Sequence, residues 1–250
     1  MITSSTGTYN TVYSIDLNSQ PTSSDTPSTP TVSRVKRGVA VKQALWPQNA
    51  TITIAFMGAT EAEREYIQRN IEDTFSGLIN LKLKFVEGTQ GDIRISTSKE
   101  SSGTWSAFGI NALKVPAGKP TMHIDFDAPG DLLADILHEF GHALGLGHEH
   151  QHPDRPLDFN TPKAYEYFKT KYNWPHSYTY EQILKKYKPA DVITHPYDEH
   201  SVMLYPLSEE VLWKQAATGF NSTLSEEDEI FLASLYPPAV FKSNRVRTNR

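Results

Sequence analysis

The stretch HEFGHALGLGH, residues 138–148, sets histidines at metal-ligand spacing and is the most informative part of this sequence. Asp131 can cap a helix that runs through LLADILHEFGHALG. On that helix His138 and His142 are four residues apart, so their imidazoles leave one face about one turn apart. This spacing lets two ring nitrogens reach one Zn²⁺ ion. Glu139 points too far round the helix to be an equal ligand, and it can act as general base on a zinc-bound water.

The turn after this helix explains the third histidine. A ligand six residues beyond His142 cannot lie on the same straight helix face. Gly145 permits the positive φ of a sharp turn, so the helix is predicted to end there and His148 to return to the metal. Three imidazoles leave the fourth position open for water, which is typical of catalytic zinc sites. The sequence therefore predicts one catalytic Zn²⁺ ion.

The overall composition limits the classes of partner. The 250-residue chain holds 24 Lys plus Arg and 29 Asp plus Glu, and its net charge of -5 gives no general attraction to nucleic acid or anionic membranes. No apolar run approaches the length of a membrane span. The chain contains no cysteine, so a zinc ion must be held by nitrogen and oxygen ligands. We expect a monomer whose partner is neither nucleic acid nor membrane.

The chain divides into three regions by composition. Residues 1–37 are rich in Ser, Thr and Pro and cannot bury enough apolar surface to fold alone, so they are interpreted as a flexible leader or pro-segment. The basic cluster RVKRG at 34–38 is either a solvated charge cluster or a processing site. The folded domain is expected over 38–240, followed by a polar basic tail at 241–250. The N-terminus has neither the basic nor the apolar region of a signal peptide.

Hydrophobic periodicity places one helix among several strands ahead of the histidine segment. Thr60 and Glu63 form a capping box with apolar residues at helical spacing behind it, which predicts a helix over 61–77. Alternating β-branched residues between turn residues predict strands at 51–56, 81–87, 92–97, 103–108 and 121–127. Further helices are expected near 161–171, near 179–187 and after Ser225. This order favours an N-terminal lobe with a mixed sheet.

The extended motif resembles a known clan of peptidases. HExxHxxGxxH is the signature of the metzincin metallopeptidases, and the folded region, about residues 40–238, resembles that clan. The longer stretch HEFGHALGLGHEHQHPDR is most similar to the astacin family and next to the serralysins. Metzincins have a methionine-containing turn beneath the metal, and SVMLY (201–205) places Met203 in that role. The resemblance implies that Tyr205, two residues further, ligates zinc or stabilises the oxyanion.

The resemblance also implies a substrate-binding strand and a fold. The segment Trp105, Ser106, Ala107 and Phe108 resembles the edge strand that binds an extended peptide by strand addition. The implied fold is α+β, a metzincin-like zincin with a mixed twisted sheet and the active-site helix in the N-terminal lobe. An irregular, helix-containing C-terminal lobe lies across a cleft from it.

Two further implications concern activation and location. Glu149 matches the glutamate that contacts the new N-terminus after pro-segment removal in astacins. The resemblance favours an extracellular or exported protein. The chain departs from the astacin pattern because it has no cysteine for disulfides and has Leu204 where histidine usually precedes the tyrosine.

The sequence thus predicts a zinc-dependent endopeptidase that hydrolyses protein substrates through a zinc-bound water, with Glu139 as general base. A zinc-containing peptide-binding or toxin module, with narrow or no general proteolysis, is the alternative. The intact Glu139 argues against a pure binder, which does not need a base at this position. A dedicated enzyme for one partner protein is a narrower form of the first hypothesis.

Overall fold

The computed structural model describes residues 38–237 except Ser102. The predicted leader at 1–37 and tail at 241–250 lie outside these residues, as do the last three residues of the predicted domain. Within the described part, none of the helices has both the length and the apolar composition needed to cross a membrane.

Two sheets organise the strands of the described residues. The strands are β1 (Gly38–Val41), β2 (Thr51–Met57), β3 (Lys82–Phe85), β4 (Ile93–Ser96), β5 (Trp105–Ser106), β6 (Met122–His123) and β7 (Val192–His195). The main sheet is mixed and has the order β3-β2-β4-β6-β5, in which only β5 at the edge runs antiparallel to its neighbour. The second sheet pairs β1 with β7 antiparallel.

Most of the helices among the described residues begin after a residue whose side chain caps them. The helices are α1 (Glu61–Phe75), α2 (Leu132–Ala143), α3 (Thr161–Tyr172), α4 (His176–Thr179), which continues into a π-helical turn (Tyr180–Leu184), and α5 (Glu226–Leu235). Thr60 forms the predicted capping box with Glu63, and Ser225 forms a second one with Asp228. The Asp131 side chain accepts hydrogen bonds from the first free amides of α2.

Two apolar clusters form the interior. The larger one packs the main sheet against α1, α2 and α5, with Phe75 and Phe140 ring centroids 4.9 Å apart. The smaller one lies under α3 and includes Phe168, Ile183 and Leu207. Because α2 belongs to the first cluster and α3 to the second, the space between them is the cleft expected from the sequence.

The predicted elements agree with the structure where their patterns are long. The strand predicted at 51–56 and the helix at 61–77 are present with small boundary shifts. The strands predicted at 103–108 and 121–127 shrink to two residues each, because only Trp105 and Ser106 pair with Met122 and His123. The sheet of β1 and β7 has no counterpart among the predicted elements, and helix α4 begins three residues before the predicted 179–187.

Candidate metal centre and active-site cleft

Helix α2 and the turn after it bring three buried histidines to one point. His138, His142 and His148 each offer a ring nitrogen, and these three atoms lie within 4.8 Å of one another. The Nε2 atoms of His142 and His148 are 3.0 Å apart. Two ligands of one tetrahedral zinc ion are separated by about 3.3 Å, so the cluster has the dimensions of a metal site.

Hydrogen bonds fix which nitrogen of each histidine faces the centre. His138 Nδ1 lies 2.8 Å from the Val202 carbonyl oxygen, and His142 Nδ1 lies 2.8 Å from that of Leu146. His148 Nδ1 lies 3.3 Å from Gln151 Oε1. Since carbonyl oxygens only accept, each Nδ1 carries the proton and each Nε2 keeps a lone pair.

The Nε2 lone pairs explain why the centre fits a cation. The buried His138 Nε2 has no hydrogen-bond partner among the described residues. The facing Nε2 atoms of His142 and His148 are both acceptors, so their 3.0 Å contact is repulsive until a cation lies between them. Three neutral imidazole nitrogens form the donor set that zinc prefers when no thiolate is present.

Burial keeps these imidazoles uncharged. It lowers the pKa of His138 to about 4, against a partial opposing effect of the Val202 carbonyl. The pKa values of His142 and His148 fall well below their ordinary value for the same reason, and the neighbouring histidines lower them further. Neutral imidazole is the form that binds a metal ion.

A glycine turn returns His148 to the helix. Gly145 has φ 97°, and Leu146 N donates to the Gly141 carbonyl at 2.9 Å while Gly145 N donates to that of His142 at 2.8 Å. This pair of bonds is the Schellman motif, which needs a left-handed residue directly after the helix. A Cβ at Gly145 would also lie 2.9 Å from Leu45 Cδ2. The turn is also hydrogen-bonded to β1, since Gly147 N donates to the Val39 carbonyl at 2.8 Å.

Two distant side chains satisfy the last carbonyls of α2. Trp46 Nε1 donates to Ala143 O at 2.8 Å, and the Tyr236 hydroxyl donates to Leu144 O at 2.6 Å. Both bonds are buried, where an unpaired carbonyl costs about 1–3 kcal/mol. The C-terminal end of the histidine helix is therefore held by residues from both ends of the domain.

Met203, the residue that the resemblance assigned to a turn beneath the metal, packs against α2. Its side chain is buried, and a Cβ at Gly141 would lie only 2.5 Å from its Sδ atom. The Met203 carbonyl accepts from Glu149 N at 3.0 Å, one residue after His148. The Val202 carbonyl accepts a hydrogen bond from His138 Nδ1. The turn is therefore hydrogen-bonded both to the first histidine of the motif and to the residue directly after the third.

Tyr205 stands against the histidines on the cleft side. Its ring centroid lies 4.4 Å from that of His148, 5.7 Å from that of His138 and 4.6 Å from that of His150. His150 is fully buried and its Nε2 lies 2.8 Å from the Gln182 carbonyl oxygen. The tyrosine is thereby packed between the histidine cluster and the loop that follows it.

Glu139 is buried next to the centre. Its exposed fraction is 2%, and burial raises its pKa well above the ordinary value, with the Asp135 carboxylate adding to the rise. Asp135 lies one helical turn before it and is partly buried. Burial raises the pKa of Asp135 to about 6, and Asp131 and Asp125 contribute to that rise.

Glu149 points away from the centre into a group of buried acids. Its Oε1 accepts from Asp198 N at 2.7 Å, and Asp198 Oδ2 accepts from the Ser225 hydroxyl at 2.6 Å. Burial raises the pKa of Glu149 well above its ordinary value, and Asp228 and Asp198 are nearby. Gly38, the first described residue, donates its N–H to Pro196 O at 2.7 Å, two residues before Asp198.

The four residues of the expected substrate strand lie at the sheet edge and at the metal centre. Trp105 and Ser106 form β5, and Ala107 N extends the pairing to the Thr121 carbonyl at 2.8 Å. Ser106 has an exposed fraction of 1%, whereas Trp105 and Phe108 are partly exposed. The Phe108 ring lies 4.6 Å from that of His142, so this segment passes directly beside the histidines.

The sequence around this histidine site matches the model of a known peptidase family. The model of the peptidase family described as "Astacin" matches residues 38–219. The chain belongs to the astacin family. It is therefore a zinc metalloendopeptidase of the metzincin clan, and its substrates are peptides or proteins. This membership sets aside a zinc-containing module that has no peptidase activity, whereas a peptide-binding or toxin module with narrow proteolysis stays a prediction.

Solved structures of astacin-type enzymes are similar to this chain. One structure of myroilysin has 29% sequence identity and a TM-score of 0.75, covering 80% of this chain and 99% of that one. A second myroilysin structure has 28% identity and a TM-score of 0.56, covering 79% and 87%. The hatching enzyme HCE-1, a zinc-protease from the medaka fish Oryzias latipes, shares the fold at 18% identity and a TM-score of 0.52, covering 79% and 98%. No curated protein matches this sequence.

Several residues that shape this astacin site lacked a recognisable signal in the sequence. Gln151 orients His148, and its own Nε2 donates to the carbonyls of Glu181 at 2.7 Å and Lys185 at 3.1 Å. Trp46 lies far ahead of the motif in the chain and gave only the signal of a packing residue. Gly141 lies inside the histidine motif, and a glycine within a predicted helix was the one sequence signal that another group packs closely against the helix there.

Proposed function

We propose that His138, His142 and His148 hold the catalytic zinc ion of this endopeptidase through their Nε2 atoms. The single observation that carries the proposal is the set of three Nδ1 acceptors, which leave three lone pairs directed at one point. Bound zinc supplies a Lewis acid that polarises the scissile carbonyl and lowers the pKa of a water towards about 7. The other catalytic roles belong to the side chains around it.

Glu139 acts as general base and then as general acid. Its carboxylate accepts the proton of the attacking water and delivers it to the leaving amine. The support is positional: the residue follows the first histidine on α2, lines the pocket beside it and is shielded from bulk solvent. A shielded carboxylate exchanges its proton with the substrate rather than with bulk water.

Tyr205 donates its hydroxyl proton to a hydrogen bond with the oxyanion that develops on the scissile carbonyl. Its ring packs on His148 and His138, so its position follows that of the histidines. Such a contact contributes about 3 kcal/mol to transition-state stabilisation. Met203 supports the site from below α2 and has no chemical role.

An extended substrate pairs with the edge segment that contains Trp105 and Phe108, next to His142. Glu149 receives the free amino group that forms when the chain is cut near Gly38, since Glu149 and Asp198 form a buried acidic group close to that residue. Under this proposal residues 1–37 are a removable pro-segment of an exported, monomeric enzyme whose catalytic domain spans 38–240.

The test is Glu139→Gln in the full chain, with Glu65→Gln on the exposed face of α1 as the matched control. We expect Glu139→Gln to retain one zinc ion per chain and to lower kcat/KM for peptide cleavage by at least about a hundredfold. The control should cleave like the natural chain. Full cleavage by zinc-loaded Glu139→Gln would refute the role of this residue, whereas an unchanged zinc affinity in His142→Ala would refute the ligand set.

A further inference from the structure

A pocket opens beside Glu139 between the two apolar clusters. One side consists of residues from α2, among them Asp135 and Glu139. The lining also contains six phenylalanine, tyrosine and tryptophan residues, here called the aromatic wall: Tyr167, Phe168, Tyr172, Trp174, Tyr205 and Phe220. Since Asp135 and Glu139 are four residues apart, both carboxylates leave the same face of the helix. A substrate side chain in this pocket would therefore lie next to Asp135, one helical turn before the proposed base Glu139.

The charges around this pocket are unbalanced. Asp135 and Glu139 are the carboxylic acids in its lining, and the lining includes no lysine or arginine. Among the described residues, the Asp135 carboxylate receives no hydrogen bond and forms no ion pair, while the Asp131 and Asp125 carboxylates add negative potential at it. A partly buried carboxylate without a counterion is a site at which a cation gains free energy.

The aromatic wall also favours a cation. Ring faces carry negative potential, and a guanidinium or ammonium group within about 6 Å of them is attracted. This chain shows that contact on two of the same rings: the exposed Lys171 Nζ lies 5.0 Å from the Tyr167 centroid and 5.6 Å from that of Tyr172. Lys171 is outside the pocket lining and donates to the Tyr167 hydroxyl at 2.7 Å, so it does not neutralise Asp135.

We propose that this pocket binds a basic side chain, arginine before lysine, of the substrate residue next to the cleaved bond, and that Asp135 determines this specificity. The inference rests on the proposed function, because the pocket selects the residue that lies beside Glu139. Arginine is favoured because its planar guanidinium pairs with a carboxylate through two hydrogen bonds while it stacks on aromatic rings.

The first experiment measures specificity with the zinc-loaded full chain at about pH 8, where the Asp135 carboxylate is ionised. In a peptide library we expect arginine and lysine to be enriched at one of the two positions that flank the cleaved bond. In a matched peptide pair, Asp135→Asn should lower the ratio of kcat/KM for arginine over norleucine by about tenfold to a hundredfold. Asp135→Lys should turn the preference towards acidic side chains.

Asp127→Asn is the matched control, because it removes an exposed carboxylate that pairs with Lys99 outside this pocket. It should leave the arginine-to-norleucine ratio unchanged. An enzyme that cleaves the library without enrichment of basic residues, or an Asp135→Asn variant with an unchanged ratio, would overturn the specificity proposal and leave the peptidase assignment intact.

A binding measurement separates the pocket from catalysis. The inactive Glu139→Gln chain is titrated with the same two short peptides, capped at both ends, in a calorimeter. Tighter binding of the arginine peptide, lost in Glu139→Gln/Asp135→Asn, supports the assignment. If the chain nevertheless cleaves nothing, both before and after removal of residues 1–37, only the proposed function fails. Equal binding of the two peptides to Glu139→Gln refutes it.

Discussion

Gly141→Ala tests whether the space between α2 and Met203 is as tight as the structure shows. An added Cβ would lie 2.5 Å from Met203 Sδ, 3.4 Å from its Cε and 3.5 Å from Leu146 Cδ1. Only the first distance is a clash, and overpacking of this kind costs about 1–3 kcal/mol. Alanine gains about 0.5–1 kcal/mol over glycine inside a helix. We therefore expect a net loss of folding free energy of roughly 1 kcal/mol, within a range of about 0–2.5 kcal/mol.

The assay is a double-mutant cycle with Met203→Val, which removes the sulfur atom from the contact. Urea unfolding of the zinc-loaded protein gives the free energy of unfolding for each of the four chains. In the Met203→Val background, Gly141→Ala should be neutral or stabilising by up to about 1 kcal/mol, because only the helix propensity remains. If Gly141→Ala is equally destabilising in both backgrounds, the Met203 contact is not the cause and the reasoning is wrong.

Three further predictions concern parts of the site that the sequence did not reveal. Gln151→Ala removes the acceptor of His148 Nδ1–H, so we expect zinc affinity to fall by about 10–100-fold in a competition with a chelator, while an exposed Gln90→Ala leaves it unchanged. Trp46→Phe loses the hydrogen bond to the Ala143 carbonyl and should lower the free energy of unfolding by about 1–3 kcal/mol; an unchanged urea midpoint would contradict this. Burial raises the pKa of Asp228 from 3.8 in the unfolded chain to about 6 in the folded chain. Between these two pH values the folded chain binds more protons than the unfolded chain, so its stability falls as the pH rises. Asp228→Asn should remove a change of roughly 3 kcal/mol across this pH range, as measured by unfolding at a series of pH values, and an identical pH dependence in both chains would refute it.

The motif itself could be predicted because its constraints are local. Helical spacing places His138 and His142 on one face, and Gly145 is needed wherever a helix ends in a left-handed turn. Caps at Thr60 and Ser225 are equally local, since the capping side chain and the amide it accepts from are three residues apart. For these features a single short window holds all the interacting groups.

The missing parts depend on contacts between distant segments. Strands β1 and β7 pair although most of the described chain separates them, and four-residue strands give a weak period-2 pattern. The same reason hides Trp46 and Tyr236 as supports of α2, because a packing aromatic and a hydrogen-bonding aromatic have the same sequence signal. Asp135 could have been found, since it lies on the same helix face as Glu139, but nothing in the sequence shows that it lacks a counterion.

The Nδ1 acceptors have a consequence for moving this site into another protein. A graft of 138–148 alone would carry Leu146, the acceptor for His142, but neither Val202 nor Gln151. Two of its three imidazoles would then be free to rotate and to exchange tautomers. Metal binding would have to order these two rings, which lowers the metal affinity. A transplant that also includes residues 149–151 and the backbone of 201–203 would carry all three Nδ1 acceptors. The unit that can be moved into another protein is therefore this larger set of segments.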